Sequence, residues 1–126
     1  MNGTIRFPLR FDAWYRPLSS LLLLAPTRSY VEIVNGLVHV RMAWAFRASF
    51  PQSSLTGVVR SESHPLSRGV HGMAGRWLVN GSGSDIVAMD LNPIGRGYVM
   101  GFPVKLRQLL VSVEDPEGLI RALTVD

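Results

Sequence analysis

The chain of 126 residues contains no cysteine. Thiolate catalysis, disulfide bonds and zinc sites built on cysteine are therefore excluded together. Any nucleophile would have to be a hydroxyl or a carboxylate. Neither a metal nor a cofactor is predicted, because the histidines and carboxylates do not follow the spacing of a common metal motif.

A long hydrophobic segment is also missing. The aliphatic run Leu21–Ala25 is ended by Pro26 and is far shorter than the roughly 20 apolar residues of a membrane-spanning helix, so it predicts a buried strand and no transmembrane segment. Near the N-terminus, Arg6 and Arg10 alternate with apolar residues, unlike the basic and then apolar segments of a secretory signal. A cytoplasmic location is expected.

Lysine is nearly absent, since twelve of the thirteen basic residues are arginine; with nine acidic residues the net charge is +4. Arginine suits planar partners such as carboxylate and phosphate, but no basic run marks a nucleic-acid-binding tail. Apolar residues are plentiful, at 47% against 17% charged. This balance predicts that another subunit or a partner covers some of the surface. The length predicts a single domain spanning 1–126.

Apolar and polar residues alternate with a period of two along much of the chain, which predicts β-strands. Residues 4–11 form one such run, and Pro8 places it at the edge of a sheet. In "SYVEIVNGLVHVRMAWAF", residues 29–46, the central Asn-Gly predicts a type I′ turn between two strands. Pairing Val34 with Leu37 matches the polarity of every cross-strand pair.

The second strand of this hairpin is predicted to continue to Phe50, with Trp44 among its inward side chains and a bend near 43–45. The sequence "NPIGRG", residues 92–97, predicts a turn. A helix is predicted at 116–124, with Asp115 as its N-cap. Further strands are predicted at 55–60, 76–80, 86–91, 98–104 and 109–113. The predicted fold is mainly β, an antiparallel meander of about seven strands in a small barrel or sandwich, closed by a short C-terminal α-helix.

The segments "YVEIVNGLVHVRMAWAF", "FPQSSLTGVV" and "LLVSVEDPEGLIRAL" together resemble the pleckstrin-homology-like barrels of bacteria. More narrowly, the chain is similar to an uncharacterised family of short proteins from high-GC bacteria. The likeness covers roughly residues 17–124 and implies architecture. Phosphoinositide-binding members carry several basic residues in the loop after the first barrel strand; the corresponding "APTRS" has only Arg28, so the likeness implies no ligand.

Residues 61–77, "SESHPLSRGVHGMAGRW", are predicted to form a long loop between strands. Three glycines would allow backbone N–H groups to approach an anion, with charge from Arg68 and Arg76. With His71 and His64, these arginines are the candidate ligand-binding residues. The alternative is a plain connection. The two histidines are seven residues apart, which fits neither a helical nor a strand-borne metal pair, so no metal is predicted.

A second candidate surface lies on the outward side of the predicted hairpin, where Tyr30, His39, Arg41 and Arg47 share one face. An aromatic ring among arginines could stack bases and hold phosphates. More often, an outward polar face of this kind is simply the solvated side of an antiparallel sheet.

No catalytic constellation is recognisable, since a Gly-x-Ser-x-Gly motif is missing and Asp85 and Asp90 lie an odd number of residues apart along a predicted strand. The preferred hypothesis is a non-catalytic binding domain, not an enzyme, that self-associates or binds a protein partner. The second is a binder of small anionic ligands, with or without hydrolytic activity, using the loop at 61–77. The third is a nucleic-acid-binding module.

Overall fold

The computed structural model of the chain describes residues 4–10, 29–61, 69–73, 75–80 and 85–124. Besides a 3₁₀ turn at Gln52–Ser54, nine strands and one α-helix lie in these ranges. They are β1 Thr4–Pro8, β2 Ser29–Val34, β3 Leu37–Met42, β4 Phe46–Pro51, β5 Leu55–Arg60, β6 Gly69–Met73, β7 Arg76–Asn80, β8 Ile86–Val99, β9 Phe102–Ser112 and α1 Pro116–Thr124.

The strands form one sheet in the order β1-β2-β3-β4-β8-β9-β7-β6, and β5 pairs with the first part of β8. The sheet is not closed into a barrel; the architecture is that of a small β-sandwich with a short helix. The predicted mainly β fold with one C-terminal helix is confirmed. Of the two predicted architectures, barrel and sandwich, the structure has the sandwich. Nine strands are present in the described ranges, instead of about seven, and the β7–β9 pairing is parallel.

The larger of two clusters of buried apolar residues in the described ranges joins both parts of the sheet. The long strands β8 and β9 pair with different neighbours along their length, so that side chains from β2–β4 and from the β7 side pack in the same cluster. Leu119 and Leu123 of α1 are buried in that cluster too. The helix therefore covers the inner side of the sheet, and the outward side of β2–β4 faces away from it.

The hairpin of β2 and β3 has the predicted register, with Val34 opposite Leu37 and each following pair in step. Asn35 and Gly36 have φ values of 50° and 79°, the left-handed conformation that a type I′ turn requires. This prediction is confirmed because the turn residues and the alternation specify the same register.

The prediction of a single strand from 37 to 50 is wrong. The chain reverses at 43–45, where Ala45 N donates to Met42 O at 2.9 Å, and β4 returns antiparallel to β3. Met42 and Phe46 face each other across the turn and are both buried. Met42 and Phe46 are separated by an even number of residues, so both would face inward in a continuous strand as well. The pattern of inward and outward residues is therefore the same for a bent strand and for a turn at 43–45. Trp44, predicted to point inward, lies on the turn and is 52% exposed.

The turn predicted at 92–97 is also wrong, because these residues belong to β8, with a cis peptide between Asn92 and Pro93. Between Asp90 and Gly95 the strand advances five residues while β9 advances only two, from Leu106 to Gln108. The proline and glycine are thus accommodated in a bulge rather than a turn. The chain turns later, so the strands predicted at 98–104 and 109–113 are divided differently, and both contribute to β9.

The strand predicted at the N-terminus is present as β1, at one end of the sheet order as Pro8 indicated. Phe7 and Leu9 are buried as predicted, but Ile5, also predicted to face inward, is half exposed. The predicted strand at Leu21–Ala25 lies outside the described residues. The strands predicted at 55–60 and 76–80 are confirmed as β5 and β7.

Helix α1 begins and ends as predicted, at Pro116 and Thr124. Asp115 caps it, since its Oδ1 accepts a hydrogen bond from Gly118 N at 3.0 Å. Among the residues that the structure describes, no helix has the length and apolarity needed to cross a bilayer.

Candidate functional site

The structure brings together Tyr30, His39, Arg41 and Arg47 on the outward side of β2, β3 and β4. Tyr30 is opposite Arg41, and Arg41 is opposite Arg47, so these three residues form one row across three strands. His39 lies two residues before Arg41 on the same face. The intervening residues on these strands are buried, which fixes the direction of the row away from the core.

The row continues onto β8, where Tyr98 is opposite Arg47. Two residues earlier on the same face of β8 lies Arg96, which is opposite Lys105 of β9. Both Arg96 and Lys105 are exposed, whereas the neighbouring Gly97 and Leu106 are buried. The whole surface is called the basic face and consists of Tyr30, Arg41, Arg47, Arg96, Tyr98 and Lys105.

Two cross-strand pairs of like charge lie in the basic face. Arg41 is directly opposite Arg47, and Arg96 is directly opposite Lys105. Side chains in such positions start from Cβ atoms about 5 Å apart, and like charges there destabilise a sheet. The arrangement becomes favourable when an anion lies between the members of each pair.

Apart from Tyr30, the basic face is built from two stretches of sequence without acidic residues, 33–61 and 91–113. The acidic residue nearest to it in the sheet register, Glu32, lies opposite His39 and is bonded by Arg6, whose Nε donates to its Oε2 at 2.8 Å. This hydrogen bond is the main cause that raises the pKa of the Arg6 guanidinium. Because Glu32 neutralises Arg6, neither residue alters the positive charge of the basic face.

Guanidinium groups lie over both tyrosines of the basic face. The Arg47 guanidinium carbon is 4.6 Å from the centre of the Tyr98 ring, and that of Arg6 is 4.1 Å from the Tyr30 ring. A cation over a ring is held in place without losing its charge. Tyr98 therefore orients the Arg47 guanidinium. The N–H groups of Arg47 can still donate hydrogen bonds to a planar anionic partner.

His39 and Ser49 face each other on β3 and β4, with Nδ1 and Oγ 2.6 Å apart. A serine beside a histidine is half of a hydrolytic site, which would also need an orienting carboxylate and an oxyanion hole. The carboxylate opposite His39 belongs to Glu32 and is bonded to Arg6. The pair lies on an open sheet face, so the geometry favours a structural hydrogen bond.

An apolar surface adjoins the basic face at one end of the sheet. The turn after β3 carries Trp44, and the turn between β8 and β9 carries Met100, followed by Phe102; all three are more than half exposed. Met100 N donates to Ala45 O at 2.9 Å, which joins the two turns. This surface, consisting of Trp44, Met100 and Phe102, is called the apolar end.

The residues of the predicted loop at 61–77 are placed differently. His64 and Arg68 lie outside the described residues. The prediction of a continuous loop is wrong for Gly69–Met73, which is strand β6 and forms a hairpin with β7 because its backbone pairs in register. His71 lies in that strand opposite Leu78, and exposed Arg76 begins β7. An anion site at these residues stays a prediction.

Other candidate sites offer less chemistry. A groove of about 620 Å³ lies between β5 and the end of α1, and its lining has no charged side chain. Gln52 at its rim donates to the carbonyl oxygens of Ala122 and Leu123, at 3.3 and 3.1 Å, and so caps the helix. Within the described ranges, no three histidine or carboxylate side chains come close enough to hold a metal ion.

Sequence reasoning missed Arg96, Tyr98 and Lys105. The prediction of a turn at 92–97 hid the alternation of Arg96 and Tyr98, which are two residues apart as outward strand residues should be. The long gap between Asp90 and Glu114 without an acidic residue was a readable signal for this surface.

Comparisons with protein-family models, with curated proteins and with solved structures find no match to this chain. The resemblance to pleckstrin-homology-like barrels therefore stays a prediction.

Proposed function

We propose that this protein is a non-catalytic binding domain that holds nucleic acid on the basic face. The observation that carries the proposal is the presence of two cross-strand pairs of like charge, Arg41 with Arg47 and Arg96 with Lys105, on one open surface. Such pairs cost stability in the free protein. A polyanion with regularly spaced phosphates would neutralise both pairs at once.

The dimensions of the basic face suit a chain of phosphates. Strands β3, β4, β8 and β9 are consecutive in the sheet, so their outer members are about 14 Å apart at the usual interstrand spacing. A nucleic-acid strand carries a phosphate about every 3.4 Å. One strand crossing the sheet can therefore reach several cations, whereas a single small anion would satisfy only one pair.

The test is the dependence of binding on salt. A labelled single strand and a duplex of the same sequence are titrated with the protein at about 50 to about 300 mM salt, because each phosphate contact with a single strand contributes about 0.7 to the logarithmic slope. For the wild type we expect the logarithm of the binding constant to fall with the logarithm of the salt concentration with a slope near −3, which corresponds to four phosphate contacts. The double variant Arg41→Gln, Arg47→Gln loses two of these contacts, so its slope should be smaller in magnitude by about 1.4.

The matched control is Arg121→Gln, which removes an exposed arginine from α1, on the inner side of the sheet. This variant should bind with the wild-type slope. Binding by the double variant with an unchanged slope, or the lack of salt-dependent binding by the wild type, would refute the proposal.

A second candidate is self-association, favoured by the exposure of Trp44, Met100 and Phe102 at one end of the sheet. An apolar surface of this kind is typical of an interface. Light scattering distinguishes this candidate from the first, because only self-association changes the mass of the free protein.

A further inference from the structure

His39 and Ser49 form a hydrogen-bonded pair beside the cations of the basic face. His39 Nδ1 and Ser49 Oγ are 2.6 Å apart, on residues directly opposite each other on β3 and β4. On the same face, Arg41 lies two residues after His39, and Arg47 lies two residues before Ser49. The pair is therefore the next row of the sheet beside the like-charged pair Arg41 and Arg47.

Arg96 approaches the same row from β8. Gly97 is opposite Ala48, so the antiparallel register, carried one residue further, places Arg96 across from Ser49. The side chains of Arg96 and Ser49 are both exposed. A cation of the second like-charged pair is thus a neighbour of the serine hydroxyl.

Ser49 consequently has nitrogen donors on three sides, from His39 on β3, from Arg47 on its own strand and from Arg96 on β8. Neighbours on one face of a sheet have Cβ atoms about 5 Å apart across strands and lie about 7 Å apart along a strand. Arginine side chains span such distances. A phosphate above the Ser49 hydroxyl can therefore accept hydrogen bonds from several of these groups at once.

No group around His39 in the described ranges would compensate a proton on its ring. Glu32 faces His39 from β2, but its carboxylate accepts a hydrogen bond from Arg6 Nε at 2.8 Å and is neutralised by that arginine. The other titratable or charged side chains that adjoin His39 on β2, β3 and β4 are Tyr30, Arg41 and Arg47. A protonated His39 would add charge to a surface that is already positive, so an anion bound there favours the protonated ring.

The protonation state of His39 also determines which way its hydrogen bond with Ser49 runs. A neutral imidazole has one nitrogen without hydrogen, which can accept the serine O–H at Nδ1. A protonated imidazole carries hydrogen on both nitrogens, so Nδ1 donates to Ser49 Oγ. The serine O–H is then left for a ligand, and protonation supplies both a charge and a hydroxyl donor.

We infer that one phosphate of the bound nucleic acid lies above Ser49 and that His39 helps to hold it in the protonated form alone. The inference rests on the proposed function and adds to it a phosphate position and a dependence on pH. A phosphodiester, arginine and lysine keep their charges between about pH 5 and about pH 8, whereas histidine is the side chain that ordinarily changes charge in this range. Binding should therefore strengthen as the pH falls.

The experiment repeats the salt titration of a labelled single strand at about pH 5.5 and about pH 8, on either side of the ordinary histidine pKa. At the lower pH the wild type should gain one phosphate contact. Its slope should then be larger in magnitude by about 0.7, and its binding at about 150 mM salt should be about fourfold tighter.

Two substitutions at His39 fix its charge. His39→Gln should give the slope of the wild type at about pH 8 under both conditions, because glutamine forms hydrogen bonds without a charge. His39→Lys should give the steeper slope under both conditions, because lysine is cationic throughout. Urea denaturation at both pH values verifies that each variant is folded.

Ser49→Ala removes the hydroxyl and leaves every charge in place. At about pH 5.5 it should weaken binding by about fivefold, the effect of one lost hydrogen bond, while the slope still changes with pH. The loss should be smaller at about pH 8, where the imidazole can accept the serine O–H. Ser53→Ala is the matched control, since Ser53 is an exposed serine outside the basic face, in the 3₁₀ turn after β4, and this variant should bind like the wild type.

A slope that still changes with pH in His39→Gln would overturn the inference. So would a pH dependence that disappears in His71→Gln instead, since His71 lies on β6, at the other end of the sheet order. If Arg41→Gln with Arg47→Gln lowers the slope but the wild-type slope is the same at both pH values, the proposed function stands and the histidine contact fails. If wild-type binding does not depend on salt at either pH, both fail.

Discussion

At the scale of single residues, position within the strand pairing matters more than residue type. Arg6 and Arg47 both lie over a tyrosine, but Arg6 is bonded to Glu32 while Arg47 faces another arginine. The first arrangement stabilises the fold and satisfies its own charge. The second leaves the charge available to a ligand, and the stability of the free protein is lower as a result.

Removing one charge of a like-charged pair should therefore stabilise the free protein. Lys105→Gln relieves the repulsion with Arg96, and we expect the free energy of unfolding to rise by about 0.5 kcal/mol at low salt. The gain should vanish at high salt, where the repulsion is screened. Urea denaturation at two salt concentrations measures both effects, with Lys105→Arg as the variant that keeps the charge. A loss of stability in Lys105→Gln at low salt would show that the pair is not repulsive.

At the scale of elements, hairpins determine which surfaces exist. In the described part of the chain, two turns have both central residues in the left-handed region, Asn35-Gly36 and Met100-Gly101. The first was predictable because Asn-Gly is the preferred pair for a type I′ turn. The second was not, since methionine at a positive φ is unusual and the nearby "NPIGRG" looked more like a turn. The second turn nevertheless places Met100 and Phe102 at the apolar end.

Both glycines are expected to be needed for their backbone conformation alone. Gly36 and Gly101 have φ values of 79° and 86°, and an added Cβ would meet no atom within 4 Å in either case. Alanine at either position should thus cost about 1 kcal/mol, the penalty of left-handed backbone without any steric clash. Chemical denaturation measures it. Gly101→Asn should lose less, because asparagine tolerates this conformation; equal losses for alanine and asparagine would contradict this cause.

At the scale of the whole molecule, one core serves both sides of the sandwich, and the helix covers the inner side of the sheet. The outward side of β2, β3 and β4 faces away from the core, as do Arg96 and Tyr98 of β8 and Lys105 of β9, whereas the outward residues Ile86, Ala88 and Leu110 are buried in a second, smaller cluster. The abundance of apolar residues is largely accounted for by this core, which leaves the apolar end as a compact group of exposed side chains rather than a broad hydrophobic face.

The mass of the free protein in solution is the prediction at this scale. We expect a monomer at low ionic strength, since contact between two apolar ends would bring their arginines together. Static light scattering over a range of protein concentrations measures the mass. A stable dimer at low salt that Phe102→Asp converts to a monomer would support self-association as the function of this end.

Much of the fold was determined by the sequence alone. The alternation of period two and the Asn-Gly pair specified the first hairpin and its register, because a shift by one residue would turn every side chain to the wrong face. The helix was equally predictable, because the cap and the proline at its beginning and the apolar stripe along it are all read from nearby residues.

Only the tertiary structure decided the candidate site. Alternation cannot distinguish a bent strand from a reversal that keeps the same parity, so nothing local showed that Arg41 faces Arg47. In the same way, Arg96 meets Lys105 only because a bulge and a later turn align β8 with β9. Local pattern specifies which side of a strand a residue takes, whereas the pairing of distant strands determines which charges become neighbours, and that pairing is settled by packing of the shared core.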